Sequence, residues 1–201
     1  MTDYHPGLDG VIATESSISD IDGKKGILSY RGYSIEELAE KSTFEETAFL
    51  LLTGELPTPD ELATFTSMVN ARRDLSPEYI SLLKSLPKNS NPMDVIQLGV
   101  SALGSFYPIH FDAEKLKAND YDKNYFIEVS AGILGSIGSI VAAWNRVKNN
   151  KEYIPADSNM SYAENFMHML DDSIKVTPLI NRIIDATLIL HAEHTINAST
   201  F

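Results

Sequence analysis

Two histidines near the C-terminal end, His191 and His194, are the side chains best placed for chemistry; the chain has five histidines in all. They lie in the run L-I-L-H-A-E-H-T-I-N-A-S-T, residues 188–200. Thr177-Pro178 opens a helix upstream of them, a Thr cap followed by proline at the first helical position. If that helix continues to residue 195, a spacing of three puts both imidazoles on one face. At about 100° per residue, Ile180, Ile184, Thr187, His191 and His194 form one stripe. The opposite side is polar early (Asn181, Arg182, Asp185) and then becomes Ile189 and Ala192. Such a helix is expected to enter a core and carry both imidazoles inward. Three roles follow for the pair: core histidines satisfied by neighbours, a metal pair, or a substrate-binding pair. The metal reading lacks a His-Glu-x-x-His spacing and a visible third ligand.

Other titratable groups offer less. His5 lies in the N-terminal tail, His110 follows Pro108 near a helix end, and His168 falls on a partly apolar helix. The acidic pairs Glu36-Glu37, Glu45-Glu46 and Asp171-Asp172 are adjacent in sequence, so the members of each pair do not share a helix face. The first two sit where a helix N-terminus favours negative charge. All three pairs read as structural. The chain has no cysteine, which excludes a disulfide framework, a thiolate metal site and a cysteine nucleophile. No glycine-rich phosphate cradle of the Walker or dinucleotide type occurs.

These side chains must be positioned by a chain of 201 residues, either one large domain or part of something larger. A hydrophobic share of 43% and a charged share of 22% are those of a soluble globular protein. With 28 acidic and 16 basic residues, the net charge of −12 argues against nucleic-acid binding. The N-terminus lacks a basic, apolar leader. A cytoplasmic protein with no membrane partner is expected.

Strand character is confined to residues 7–33. Residues 11–14 and 27–30 are β-prone, and Asp22-Gly23 between them signals a turn with Gly23 at positive φ. Thereafter the chain is helical. Ser34, Thr43, Thr58 and Ser161 each stand three residues before a glutamate, the spacing of a capping box. Ser76-Pro77 and Asn91-Pro92 are cap-plus-proline starts. Gly54 and Pro87 stop helices. The helices are expected near 34–41, 44–53, 59–74, 77–85, 92–106, 123–148, 162–170 and 178–195. No charge occurs between Glu128 and Arg146, and Gly132, Gly135 and Gly138 recur every third residue. Three serines and three glycines over a short span argue against a membrane helix. A fully buried helix is expected, its small residues admitting a close neighbour from the core or from a second subunit.

The run at residues 188–200 resembles the citrate synthase family just before that family's catalytic core. Residues 10–33, G-V-I-A-T-E-S-S-I-S-D-I-D-G-K-K-G-I-L-S-Y-R-G-Y, are similar to the N-terminal signature of its bacterial-type members. T-A-F-L-L-L-T-G-E-L-P (47–57), G-V-S-A-L (99–103) and A-E-N-F-M-H-M-L (163–170) follow in the family's order and spacing. The resemblance implies an all-α, multi-helix fold. Residues 1–33 would form a tail and small β hairpin, and residues 34–201 the N-terminal portion of the family's helical large domain. It implies a transferase, an acyltransferase that condenses acetyl-CoA with oxaloacetate to citrate and CoA in the tricarboxylic acid cycle. 2-Methylcitrate synthase is the alternative. It also implies a homodimer and no cofactor, since acetyl-CoA is a substrate.

Family enzymes are nearly twice this long. The resemblance puts their aspartate base, both catalytic histidines and most substrate-binding arginines beyond Phe201. No catalytic residue is therefore expected among these 201, and the chain alone is expected to be inactive. By the resemblance His194 contacts oxaloacetate, and His191 stands beside the site as the second binding candidate. The contrasting expectation is a non-enzymatic helical module for dimerisation or interaction.

Overall fold

The computed structural model describes residues 15–107 and 122–195, which form a three-stranded antiparallel sheet and eight helices. The strands are β1 (Ser19–Asp22), β2 (Ile27–Tyr30) and β3 (Tyr33–Ser34), in that order across the sheet. The helices are α1 (Ile35–Lys41), α2 (Phe44–Thr53), α3 (Pro59–Asn70), α4 (Pro77–Lys84), α5 (Pro92–Phe106), α6 (Lys123–Lys148), α7 (Tyr162–Leu170) and α8 (Pro178–Leu190). The expected strand at residues 11–14 lies outside the described residues, as do His5, His110, Asn197 and Ser199.

The β1–β2 turn falls where Asp22 announces it, but the left-handed residue is Gly26, at φ 68°, and not Gly23. The Asp22 carboxylate accepts from the amides of Lys24 and Lys25, both at 3.1 Å. That gathers residues 22–25 into a right-handed turn, and Gly26 supplies the positive φ needed to re-enter the ladder opposite Asp22. Between β2 and β3, Arg31 (φ 50°) and Gly32 (φ 89°) are both left-handed, as a two-residue hairpin that follows the sheet twist requires. An arginine in this conformation is held from outside. Its amide donates to Ile18 O at 2.8 Å, and its guanidinium donates to Ser17 Oγ and to Leu51 O, each at 3.0 Å.

All four box positions cap their helices. The reciprocal bond from the glutamate is made at Thr43 and Thr58. At Ser34 the Glu37 carboxylate instead meets Lys41 at 3.1 Å. Gly54 ends α2 at φ 98°, the left-handed cap expected of it.

α6 passes through both hydrophobic clusters. One gathers Tyr30, Leu50, Phe65, Val69 and Ile189; the other gathers Tyr79, Leu83, Ile140, Trp144 and Val147. Two of the three glycines, Gly135 and Gly138, admit close neighbours as expected. A Cβ on Gly135 would press into the Val69 carbonyl of α3, and one on Gly138 would lie 3.1 Å from the Tyr162 hydroxyl of α7. Ser136 donates to Arg72 O at 3.1 Å, and Ser139 donates to Arg73 O. The helix is not buried throughout, however. Its buried residues begin at Ala131, while Phe126 is 48% exposed and Ile133 37%. Among the described residues α6 alone is long and apolar enough to pass for a membrane span. Burial of its second half, including Arg146, makes it a core helix here.

Two buried carboxylates join helices that are far apart in sequence. Glu45, in the first turn of α2, accepts from the Tyr162 amide that opens α7, at 2.8 Å, and lies 3.6 Å from the buried Arg73 guanidinium. Asp185 of α8 accepts from the Phe44 amide that opens α2 and from Arg182, both at 2.9 Å. Each supplies an acceptor for an amide that its own helix leaves without one. Burial raises the Asp185 pKa; the Phe44 amide and the Arg182 charge oppose that rise.

Candidate functional site

α8 carries the candidate histidines, and charge docks it. Arg182 donates to Ser42 O at 2.9 Å and to Ala39 O, tying α8 to the α1–α2 junction. With Arg182 and Asp185 engaged inward, the inner face of α8 is Asp185 and Ile189, backed by Leu188 and Ala192. Hence the later part of the stripe is turned outward: Thr187, His191 and His194 are exposed, while Ile180 and Ile184 are half-buried. This corrects the inward placement expected from periodicity. Of the polar residues that marked an outer face, Arg182 and Asp185 pair with each other and with the backbone of the α1–α2 junction and so turn inward, while Asn181 accepts from the Ser161 hydroxyl.

The helix also ends earlier than expected. Its last residue is Leu190, and His191 is the C-cap at φ −111° and ψ 6°. His191 and His194 therefore do not share a helix face. The cause is Tyr30, which is fully buried at the end of β2. Its hydroxyl is shared between Glu193 O at 3.2 Å and Leu190 O at 3.4 Å, and it accepts from the Glu193 amide at 3.4 Å. A phenol from the sheet thus takes over the carbonyl and amide that another helical turn would have used. Burial raises the Tyr30 pKa, so the hydroxyl keeps its proton and remains able to donate.

Three further features shape the segment after the helix. His191 Nδ1 lies 2.8 Å from Thr187 O; a carbonyl only accepts, so Nδ1 carries a proton and Nε2 is left for another partner. Glu193 Oε1 accepts from the Thr195 amide at 2.7 Å, and Thr195 is left-handed at φ 67°. Among the described residues the buried Glu193 Oε2 has no hydrogen-bond partner. His194 stands between these tethers with its side chain exposed. The arrangement presents one imidazole at a fixed backbone position, suited to donating a hydrogen bond to an oxyanion or carbonyl. His168 is half-buried on α7, away from this segment in the chain. Among the described residues no three His, Asp or Glu side chains group as metal ligands would.

Tyr30, Arg31 and Glu193 shape this segment and were not singled out from the sequence. The only signals were the Tyr-Arg-Gly-Tyr string, whose Arg-Gly pair fits a two-residue hairpin, and the glutamate between the histidines.

Residues 7–201 match the family model described as citrate synthase, C-terminal domain. A citrate synthase of Acidithiobacillus ferridurans is 40% identical, the alignment covering 98% of this chain and 50% of that protein. 2-Methylcitrate synthase 1 of Corynebacterium glutamicum is 37% identical over 97% of this chain and 50% of that protein. The crystal structure of citrate synthase from Pyrobaculum aerophilum superposes with a TM-score of 0.87 at 36% identity, covering 98% of this chain and 49% of that one. The chain spans about half the length of the relatives it matches. With the fold, the order of its elements and its sequence all in agreement with these proteins, the chain belongs to the citrate synthase family.

Proposed function

We propose that these residues are part of an acyltransferase that joins the methyl carbon of acetyl-CoA to the ketone of oxaloacetate and then hydrolyses the thioester. His194 is the contact to oxaloacetate, with His191 beside it. The observation that carries the reading is the presentation of His194: an exposed imidazole on a segment anchored at Tyr30 and bent locally by the bond from the Thr195 amide to Glu193. An imidazole there donates to a carboxylate or ketone oxygen of the substrate.

Condensation also needs a carboxylate base for a weakly acidic C–H and donors that stabilise the enolate oxygen. The carboxylate adjacent to His194, that of Glu193, is turned to the Thr195 amide. By the family resemblance the base, the donors and most of the arginines lie beyond these residues, and a polypeptide confined to the 201 residues releases no CoA above the uncatalysed rate. No cofactor enters the scheme. The working protein is a homodimer, with Leu98, Phe126 and Ile133, exposed on α5 and α6, at the subunit contact.

The test is steady-state kinetics of the full-length protein. His194→Ala should raise the oxaloacetate KM by about tenfold or more, the worth of a charge-assisted hydrogen bond, with a smaller fall in kcat. Unchanged oxaloacetate dependence would remove His194 from the site. Relatives named for citrate and for 2-methylcitrate synthesis lie at similar identity, 40% and 37%. Comparing kcat/KM for acetyl-CoA and propionyl-CoA decides which acyl group the protein prefers.

A further inference from the structure

We propose that Tyr30 and Glu193 are positioning residues that act through His194, which makes the N-terminal sheet part of the oxaloacetate site. The inference rests on the reading of His194 as the oxaloacetate contact. Three observations lead to it. The Tyr30 phenol is fully buried in the main core cluster, so its ring is fixed by packing. Its hydroxyl meets both the carbonyl and the amide of Glu193, the residue directly before His194, across more than 160 positions of sequence. On the other side, Glu193 Oε1 holds the Thr195 amide at 2.7 Å, directly after His194. Glu193 is thus tied to the sheet and Thr195 is tied to Glu193, which constrains the backbone on both sides of His194 without using its own side chain. The second tie bends the chain into the left-handed conformation of Thr195, a shape that a β-branched residue adopts only when held.

Position matters here because a substrate hydrogen bond is lost by displacement of a few tenths of an ångström to one ångström, well before the fold is lost. Removing the phenol hydroxyl leaves a ring that still fills its place in the core. Its effect should fall on substrate affinity through His194 rather than on global stability.

The experiment is a double-mutant cycle in the full-length protein. Tyr30→Phe is expected to raise the oxaloacetate KM about three- to tenfold, the span of one net hydrogen bond, with the acetyl-CoA KM unchanged. In a His194→Ala background it should have no further effect, because the group it positions is gone. Glu193→Ala is expected to behave in the same two ways. It also decides the matter should Tyr30→Phe fail to fold. Installing p-aminophenylalanine at position 30 restores a donor and should recover most of the KM.

Two results would overturn the proposal: a KM that stays put while His194→Ala still raises it, or effects that multiply fully with those of His194→Ala, as an independent structural role requires. Loss of the His194→Ala effect itself is a separate outcome. It refutes the assignment of His194, and the positioning role falls with it.

Discussion

Replacing Gly135 with alanine sets two effects of opposite sign against each other. In the interior of α6, alanine is favoured over glycine by about 1 kcal/mol through backbone entropy. The new methyl group, however, would point at the backbone of α3. It would lie well inside 3.0 Å of the Val69 carbonyl oxygen, 3.2 Å from the carbonyl carbon and 3.3 Å from Arg72 Cβ. None of these is the movable end of a flexible side chain, so α3 and α6 must separate. Overpacking of this kind costs about 1–3 kcal/mol. Separation also strains the bonds from Ser136 to Arg72 O and from Ser139 to Arg73 O, each worth about 1 kcal/mol net. The balance is a destabilisation of about 2–4 kcal/mol once the propensity gain is subtracted.

The same helix provides the control. At Gly132, the added Cβ meets only Arg72 Cγ, at 3.5 Å, which is ordinary contact. Propensity then prevails, and Gly132→Ala should stabilise by up to about 1 kcal/mol. Urea unfolding followed by circular dichroism reads both variants, provided m is unchanged. A midpoint for Gly135→Ala equal to or above that of the parent would refute the claim that α3 rests on α6 at this glycine.

The β1–β2 turn should tell its glycines apart. Gly26→Val, at φ 68°, should cost about 1–2 kcal/mol, whereas Gly23→Val should stay within about 0.5 kcal/mol; thermal melts of the two variants check this. Asp185→Ala removes the acceptor for the Phe44 amide and the partner of Arg182, and should lower stability by about 2–3 kcal/mol in urea titration. Phe126→Asp places a charge on the exposed apolar face of α6 and should weaken self-association of the full-length protein, read by light scattering across a dilution series.

Where structure is decided locally, the sequence announces it. Thr43, Thr58, Ser76, Asn91 and Thr177 each bond an amide within three residues, so the helix starts are legible from a few letters. Helix ends depend on what arrives from elsewhere. α3 was expected to run to residue 74 and stops at Asn70, because Arg72 and Arg73 give their carbonyls to serines of α6. Residues 71–74 contain no glycine or proline to signal that. The faces of α8 were misassigned for a related reason. Periodicity treats a charged residue as a mark of solvent, but Arg182 and Asp185 find their partners in α1 and α2. Pairing of that kind has no sequence signature on the helix itself.

The same distinction bears on the candidate site. The type and spacing of His191 and His194 were visible, but their geometry was not, since it depends on a tyrosine of the N-terminal sheet. Tyr30 in turn ends at the Arg31–Gly32 hairpin, which is held by Ser17 and by the Leu51 carbonyl of α2. The chain of contacts therefore runs from α2 through the hairpin to the phenol, and from the phenol to the residue beside His194. A cost is built into this route, because Arg31 is held in a left-handed conformation that disfavours side chains other than glycine. Relieving that strain alone, by Arg31→Gly, would also remove the guanidinium bonds that hold the hairpin. The hairpin is thus kept by bonds to its side chain and not by ease of its backbone, and its effect on the histidine segment depends on the Ser17 and Leu51 contacts remaining intact.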